Sequence, residues 1–325
     1  MNAILPNAPL GATSSAFFAL QPHPVHPRLR HVALDPAAVQ AFLRSSADVD
    51  IQNLEYVPFI RHILAGRLEA CAGPGLCEAL NGLARDRRWG GFTIGMADAS
   101  EDPADFVRFG TAVAHLLGPA NHDLMSGKYY ARFTVKDTDD SDSYLRQAYR
   151  LFTLHTDGTF VSEATEWLLM MKFREENATG GESRLLHIDD WEERGRFQQH
   201  PFANRPFRYK APGSKNVQED VERPVFFESP FGLSISFIDQ FVQPRSRAEA
   251  TYLHDLSGSM DASKGTREVP LPTGQLVVVN NYFWLRQPPD RTKQRGRARR
   301  GLLCARQSQG PLLPRGQCRH PGFLA

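Results

Sequence analysis

From Asp35 to Arg88, apolar residues recur at spacings of three and four, as in Val39, Phe42 and Leu43 and again in Ile60, Ile63 and Leu64. That is the period of an amphipathic helix. Asp35 followed by Pro36 supplies a helix start, a side-chain acceptor ahead of a residue with no N–H to satisfy. A second helix is predicted over Pro103 to Leu117, where Phe106, Phe109, Val113 and Leu117 share one face and Gly118-Pro119 ends the run. Near Lys128 the pattern changes. The segments YYARFTV (129–135), RLFTLHTD (150–157), EWLLMMKF (166–173), SRLLHI (183–188), GLSISFI (232–238) and QLVVVNNYFWL (275–285) are short, β-branched or aromatic, and bounded by Gly, Pro, Asn or Asp. They predict strands. Between them DDWEERGRFQQHP (189–201) predicts a helix with Asp189 or Asp190 at its N-cap. The chain therefore reads as mixed α+β, a β-rich core braced by helices, with no internal repeat.

Both ends depart from this pattern. Residues 1–30 are rich in Pro, Ala and Ser without periodicity and predict a poorly ordered arm, ahead of a single domain over 31–285. From Arg286 to Ala325 there are ten basic residues, a single acid (Asp290), no Glu and no period, so 286–325 reads as an irregular basic tail.

Composition narrows the partners. In 325 residues, 38 Lys and Arg face 36 Asp and Glu, and a net charge of +2 gives no global pull toward nucleic acid or an anionic membrane. The basic tail has Phe323 as its only ring and lacks the aromatic platforms of a single-strand binder. Neither nucleic acid nor membrane is expected as a partner: no apolar run approaches the roughly 18 residues of a membrane span. The first residues lack the basic and apolar regions of a leader, and four cysteines are too few for a disulfide framework in so long a chain. A cytoplasmic, reducing location is the expectation.

The candidate chemistry lies at Leu154-His155-Thr156-Asp157-Gly158. In an extended strand residues i and i+2 share a face, so His155 and Asp157 can offer an imidazole nitrogen and a carboxylate to one point. One imidazole and one carboxylate, completed by a distant histidine, form the facial triad of non-haem Fe(II) oxygenases. The same letters also fit a surface strand end in which Asp157-Gly158 turns and His155 is solvated. A rival pair, His187 and Asp189, has the same spacing, but there Asp189 is expected to cap a helix and His187 to be packed. His115 fits a satisfied helix-end residue and His122 a solvated turn. No GxSxG, GxxxxGK[ST], HExxH or GxGxxG pattern is present, and Glu175 and Glu176 are adjacent, so they point to opposite faces of a strand. No catalytic residue beyond the metal ligands is nominated.

Seven stretches together resemble the glutarate 2-hydroxylase family, the carbon-starvation-induced CsiD proteins. They are MSGKYYARFTVKDTDDSDSYLRQ (125–147), LHTDGTF (154–160), LLMMKF (168–173), LLHIDDWE (185–192), PGSKNV (212–217), FIDQFVQP (237–244) and VVNNYFWL (278–285). The resemblance implies a double-stranded β-helix, or jelly roll, with bracing helices. It implies Fe(II), 2-oxoglutarate and O₂ as cofactor and co-substrates, and glutarate as substrate. The implied reaction hydroxylates glutarate to L-2-hydroxyglutarate with release of succinate and CO₂, in a homotetramer where the C-terminus is intact. Its metal ligands carry over as His155 and Asp157, the pair that spacing selects.

The family's second histidine follows the FWL of the late strand directly, in a His-Gly pair. Here Phe283-Trp284-Leu285 is followed by Arg286-Gln287. A guanidinium has no available lone pair and stays charged, so Arg286 cannot replace an imidazole on Fe(II). The family's last strand carries an arginine that pairs with 2-oxoglutarate, and no counterpart of that strand is recognisable in the tail. Two expectations follow: the reading frame shifts after Leu285, making 286–325 an out-of-frame translation, and hydroxylation by this chain is impaired. A non-catalytic dicarboxylate-binding or scaffold protein on the same fold is the alternative.

Overall fold

The structure is a computed structural model that describes residues 17–120, 129–135, 153–163, 165–176, 182–211, 220–287 and 299–307. Asp35 opens the helical half as predicted, its carboxylate accepting the Ala37 N–H at 2.7 Å ahead of α1 (Pro36–Ser46). Then follow α2 (Ile51–Tyr56), α3 (Pro58–Ala72) and α4 (Leu76–Arg85). The predicted helix over Pro103 to Leu117 is α5, capped by the Asp102 carboxylate on the Ala104 N–H and ended at Gly118.

Flanking these helices are β1 (Phe18–Pro22), β2 (Arg30–Leu34) and β3 (Gly91–Gly95). Strand β1 pairs antiparallel with β2, Phe18 opposite Leu34, so the arm expected over 1–30 is corrected from residue 18 onward. An edge strand tolerates a terminal proline such as Pro22, which is why a Pro-rich composition concealed it.

The second half supplies β4 (Ala131–Val135), β5 (Trp167–Glu176), β6 (Ser183–His187), α6 (Arg194–Gln198), β7 (Pro206–Tyr209), β8 (Val221–Pro224) and β9 (Phe226–Ser229). After these come β10 (Gly232–Ile235), β11 (Val242–Gln243), α7 (Arg247–Ala262), β12 (Arg267–Val269), β13 (Gln275–Asn280), β14 (Trp284–Gln287) and β15 (Arg299–Gln307). Among the described residues the large sheet has the order β1-β2-β3-β13-β5-β15-β4, and a three-stranded sheet has the order β12-β6-β14. Successive strands alternate between them: β5 lies in the large sheet and β6 in the small one, then β13 in the large and β14 in the small.

Both faces of the large sheet's central strands are covered. Leu169, Met171, Leu276 and Val278 pack on the side of α3, α4 and α5, while Leu168, Met170, Val277 and Val279 pack with Leu185, Leu186, Phe283 and Leu285. Burial on both faces is why LLMM (168–171) and LVVV (276–279) read as unbroken apolar runs.

Three further expectations are corrected. The tail expected to be irregular over 286–325 contains β15, which pairs antiparallel with β5 on one side and β4 on the other. An interior edge of β5 needs a backbone partner, and the apolar GLLCA run supplies extended chain that meets the need. The helix expected over 189–201 begins at Arg194 with Glu193 at its N-cap, preceded by a 3₁₀ turn at Ile188–Asp190. Finally, within the strand expected over 150–157, residues 150–152 lie outside the described residues, and His155 makes an isolated bridge rather than part of a strand.

Candidate metal centre

Position 286 is fixed first by backbone. In β14 Arg286 pairs with Leu185 of β6, and on its other side it forms an antiparallel bridge with His155. Both bridge bonds are made, the His155 N–H to the Arg286 carbonyl and the Arg286 N–H to the His155 carbonyl, each 2.9 Å. Such a pair brings Cα atoms to about 5.5 Å.

The segment around His155 is tied down residue by residue. The Leu154 N–H donates to the Asp261 carboxylate at 2.9 Å. Burial raises the pKa of Asp261. The Thr156 N–H donates to the Phe237 carbonyl at 2.8 Å, and the Phe237 N–H donates back to the Thr156 hydroxyl at 3.0 Å. Asn281 holds Asp157 by its main chain: its Oδ1 accepts the Asp157 N–H at 2.8 Å, and its Nδ2 donates to the Asp157 carbonyl at 2.9 Å and the Thr165 carbonyl at 2.8 Å. Gly158 follows with φ +71°, and a Cβ there would meet the Thr165 hydroxyl at 2.3 Å. Only glycine takes that turn without strain.

These ties set the side chains. His155 is 3% exposed and its Nδ1 lies 2.8 Å from the Thr153 carbonyl. A carbonyl only accepts, so Nδ1 carries the proton and the ring lone pair is on Nε2. Both side chains that the spacing argument selects are buried, so the solvated strand end is excluded. What lies against the carboxylate is Arg286: its Nη2 donates to Asp157 Oδ1 at 2.9 Å and its Nε donates to Oδ2. The side chains are 16% and 7% exposed, so the pair is shielded from water.

As a holder for a facial-triad iron, this donor set does not fit. Three protein ligands are needed, and among the described residues no group of three His, Cys, Asp or Glu side chains converges. The group that meets the Asp157 carboxylate is a guanidinium, which donates and cannot ligate.

The rival pair is accounted for by structure. His187 is fully buried; its Nε2 donates to the Arg87 carbonyl at 2.9 Å and its Nδ1 accepts the Asp189 N–H at 3.1 Å. Burial lowers its pKa to about 4. Asp189 caps no helix but pairs with Arg87 at 2.9 Å and also with Arg194. His115 is a satisfied helix-end residue, its ring 3.0 Å from the Thr111 carbonyl. His122 lies outside the described residues. Sequence reasoning passed over Asn281 and Asp261. Asn281 stands in the NNYFWL stretch, but nothing local marks which amide crosses to a backbone far away in sequence.

Comparison with known proteins gives a consistent picture. A profile of the CsiD family matches residues 18–308, which runs past the break at Leu285 and through β15. The chain is 43% identical over 288 residues to a glutarate 2-hydroxylase of Citrobacter koseri, covering 88% of this chain and 89% of that one. Among solved structures, an asparagine oxygenase in complex with Fe(II), a hydroxyasparagine and succinate superposes with a TM-score of 0.65 at 14% identity, covering 85% of this chain and 92% of that one. The non-haem iron oxygenase OrfP in complex with Fe and α-ketoglutaric acid gives 0.62 at 15% identity, covering 84% and 90%. At such identity the likeness is one of fold. No helix among the described residues is long and apolar enough to cross a membrane.

Proposed function

The chain belongs to the CsiD family, and on that premise we propose that its fold is a jelly roll built for Fe(II)/2-oxoglutarate-dependent hydroxylation of glutarate to L-2-hydroxyglutarate, with Arg286 impairing the reaction in this chain. The alternation of β5, β6, β13 and β14 between two sheets supports the jelly roll. The resemblance supports the substrate, and the buried His155 and Asp157 support the metal site.

One observation carries the impairment: the Arg286 guanidinium lies on the Asp157 carboxylate, at the position where the family has its second histidine. What the chain's own residues still do is hold His155 in one tautomer, fix the Asp157 backbone and keep water away from both. The test is succinate formation from 2-oxoglutarate with Fe(II), with and without glutarate. Turnover near background is expected, and robust glutarate-dependent succinate release would overturn the impairment.

A second reading is favoured by the same ion pair: a dicarboxylate-binding protein without turnover. It requires glutarate binding in the presence of a chelator, measured by calorimetry, and no heat of binding would remove it. The family homotetramer is proposed on condition that the C-terminus is intact, and light scattering of the full chain tests it: an intact chain that runs as a monomer would contradict it. The proposed frame shift is tested by sequencing the gene across codon 285: an uninterrupted reading that encodes Arg286 would make the tail genuine.

A further inference from the structure

We infer that the Arg286 guanidinium is a built-in replacement for a metal cation: it compensates the buried Asp157 carboxylate and leaves the His155–Asp157 pocket structurally complete without metal. The inference rests on the proposed metal position of His155 and Asp157 and says what the chain does with it.

Three observations carry it. The first is burial, because an Asp157 side chain 7% exposed demands a compensating positive charge close by. The second is geometry. The bridge sets residue 286 opposite residue 155, and its side chain meets both Asp157 carboxylate oxygens in the fork arrangement that suits guanidinium to carboxylate. The third is the scaffold. The bonds that set the pocket's shape run from Leu154 to Asp261, His155 to Thr153, Thr156 to Phe237 and Asp157 to Asn281, so protein groups alone define it. The guanidinium is covalently part of the chain, so a chelator cannot remove this cation. In this chain Arg286 fills at Asp157 the electrostatic role that a metal cation would fill.

The test is thermal unfolding of the full chain and of Arg286→Ala, each in chelator and in excess Mn(II). The parent chain is expected to melt at the same temperature in both. Arg286→Ala, left with a buried carboxylate, is expected to melt lower in chelator by roughly 5 °C or more, and Mn(II) should restore most of that loss in a saturable way. A parent chain stabilised by Mn(II) would overturn the inference while leaving the metal position standing. An Arg286→Ala chain as stable as the parent in chelator would overturn it as well. An Arg286→Ala chain that is destabilised but indifferent to Mn(II) would overturn the metal position itself, and the inference with it. Should Arg286→Ala not fold, Arg286→Lys keeps a cation in place: it is expected to fold, to melt below the parent and to ignore Mn(II), and a Mn(II)-dependent rise would overturn the inference.

Discussion

At the scale of single residues, the chemistry depends on how Asp157 is held. Asn281 satisfies one backbone N–H and two backbone carbonyls with one side chain that is 5% exposed. Removing it leaves buried polar groups without partners, each costing about 1–3 kcal/mol. Asn281→Ala is therefore expected to lose about 2–4 kcal/mol of stability in a urea titration, and a loss under about 0.5 kcal/mol would contradict the role assigned to it. Asn281→Asp should not rescue, since its second oxygen would face the Asp157 and Thr165 carbonyls instead of donating to them. The HxD pair was legible because a period of two is a local property. The hands that hold it were not, because Asn281 and Phe237 meet the segment across 124 and 81 residues of chain. That Arg286 cannot ligate iron follows from its chemistry, but that it lies on Asp157 requires the fold.

At the scale of elements, the predicted helices and most predicted strands are present because their hydrophobic periods are strong. The failures have physical causes. Strand β1 ends in proline at a sheet edge, and β15 lies in a stretch whose arginines hide an extended run. For Ile188–Asp190, the His187 ring accepts the Asp189 N–H and closes a 3₁₀ turn, which delays the helix to Arg194. Strand β15 stands between β4 and β5, so its loss would leave two backbone edges unpaired. Truncation after Ala298 is expected to lower the melting temperature and to promote aggregation, read by light scattering during a thermal ramp. A truncated chain that melts like the parent and stays dispersed would show that β15 does not brace the sheet.

At the scale of the whole molecule, three buried histidines make the fold sensitive to acid. His26, His115 and His187 each have pKa values lowered to about 4, in every case chiefly by burial. In the unfolded chain they titrate near 6.5, so between pH 6.5 and about 4 the unfolded state binds more protons than the folded one. Stability then falls as pH falls through this window, by about 1.4 kcal/mol per pH unit for each histidine that stays neutral in the fold. Urea midpoints measured from pH 7 down to pH 4 should decline steadily, and a flat profile would mean that these rings take up protons without unfolding. The family and the mixed architecture were legible in the sequence because they are spread over many short stretches. The continuation of the match to residue 308 was not, since it lies beyond the compositional break at Arg286.

The central claim concerns a single position. Anaerobic calorimetric titration of Fe(II) into the full chain and into Arg286→His measures it most directly. The account expects no stoichiometric binding by the parent chain and stoichiometric, saturable binding once an imidazole stands at position 286. Tight stoichiometric binding by the parent chain, with Arg286 in place, would contradict it.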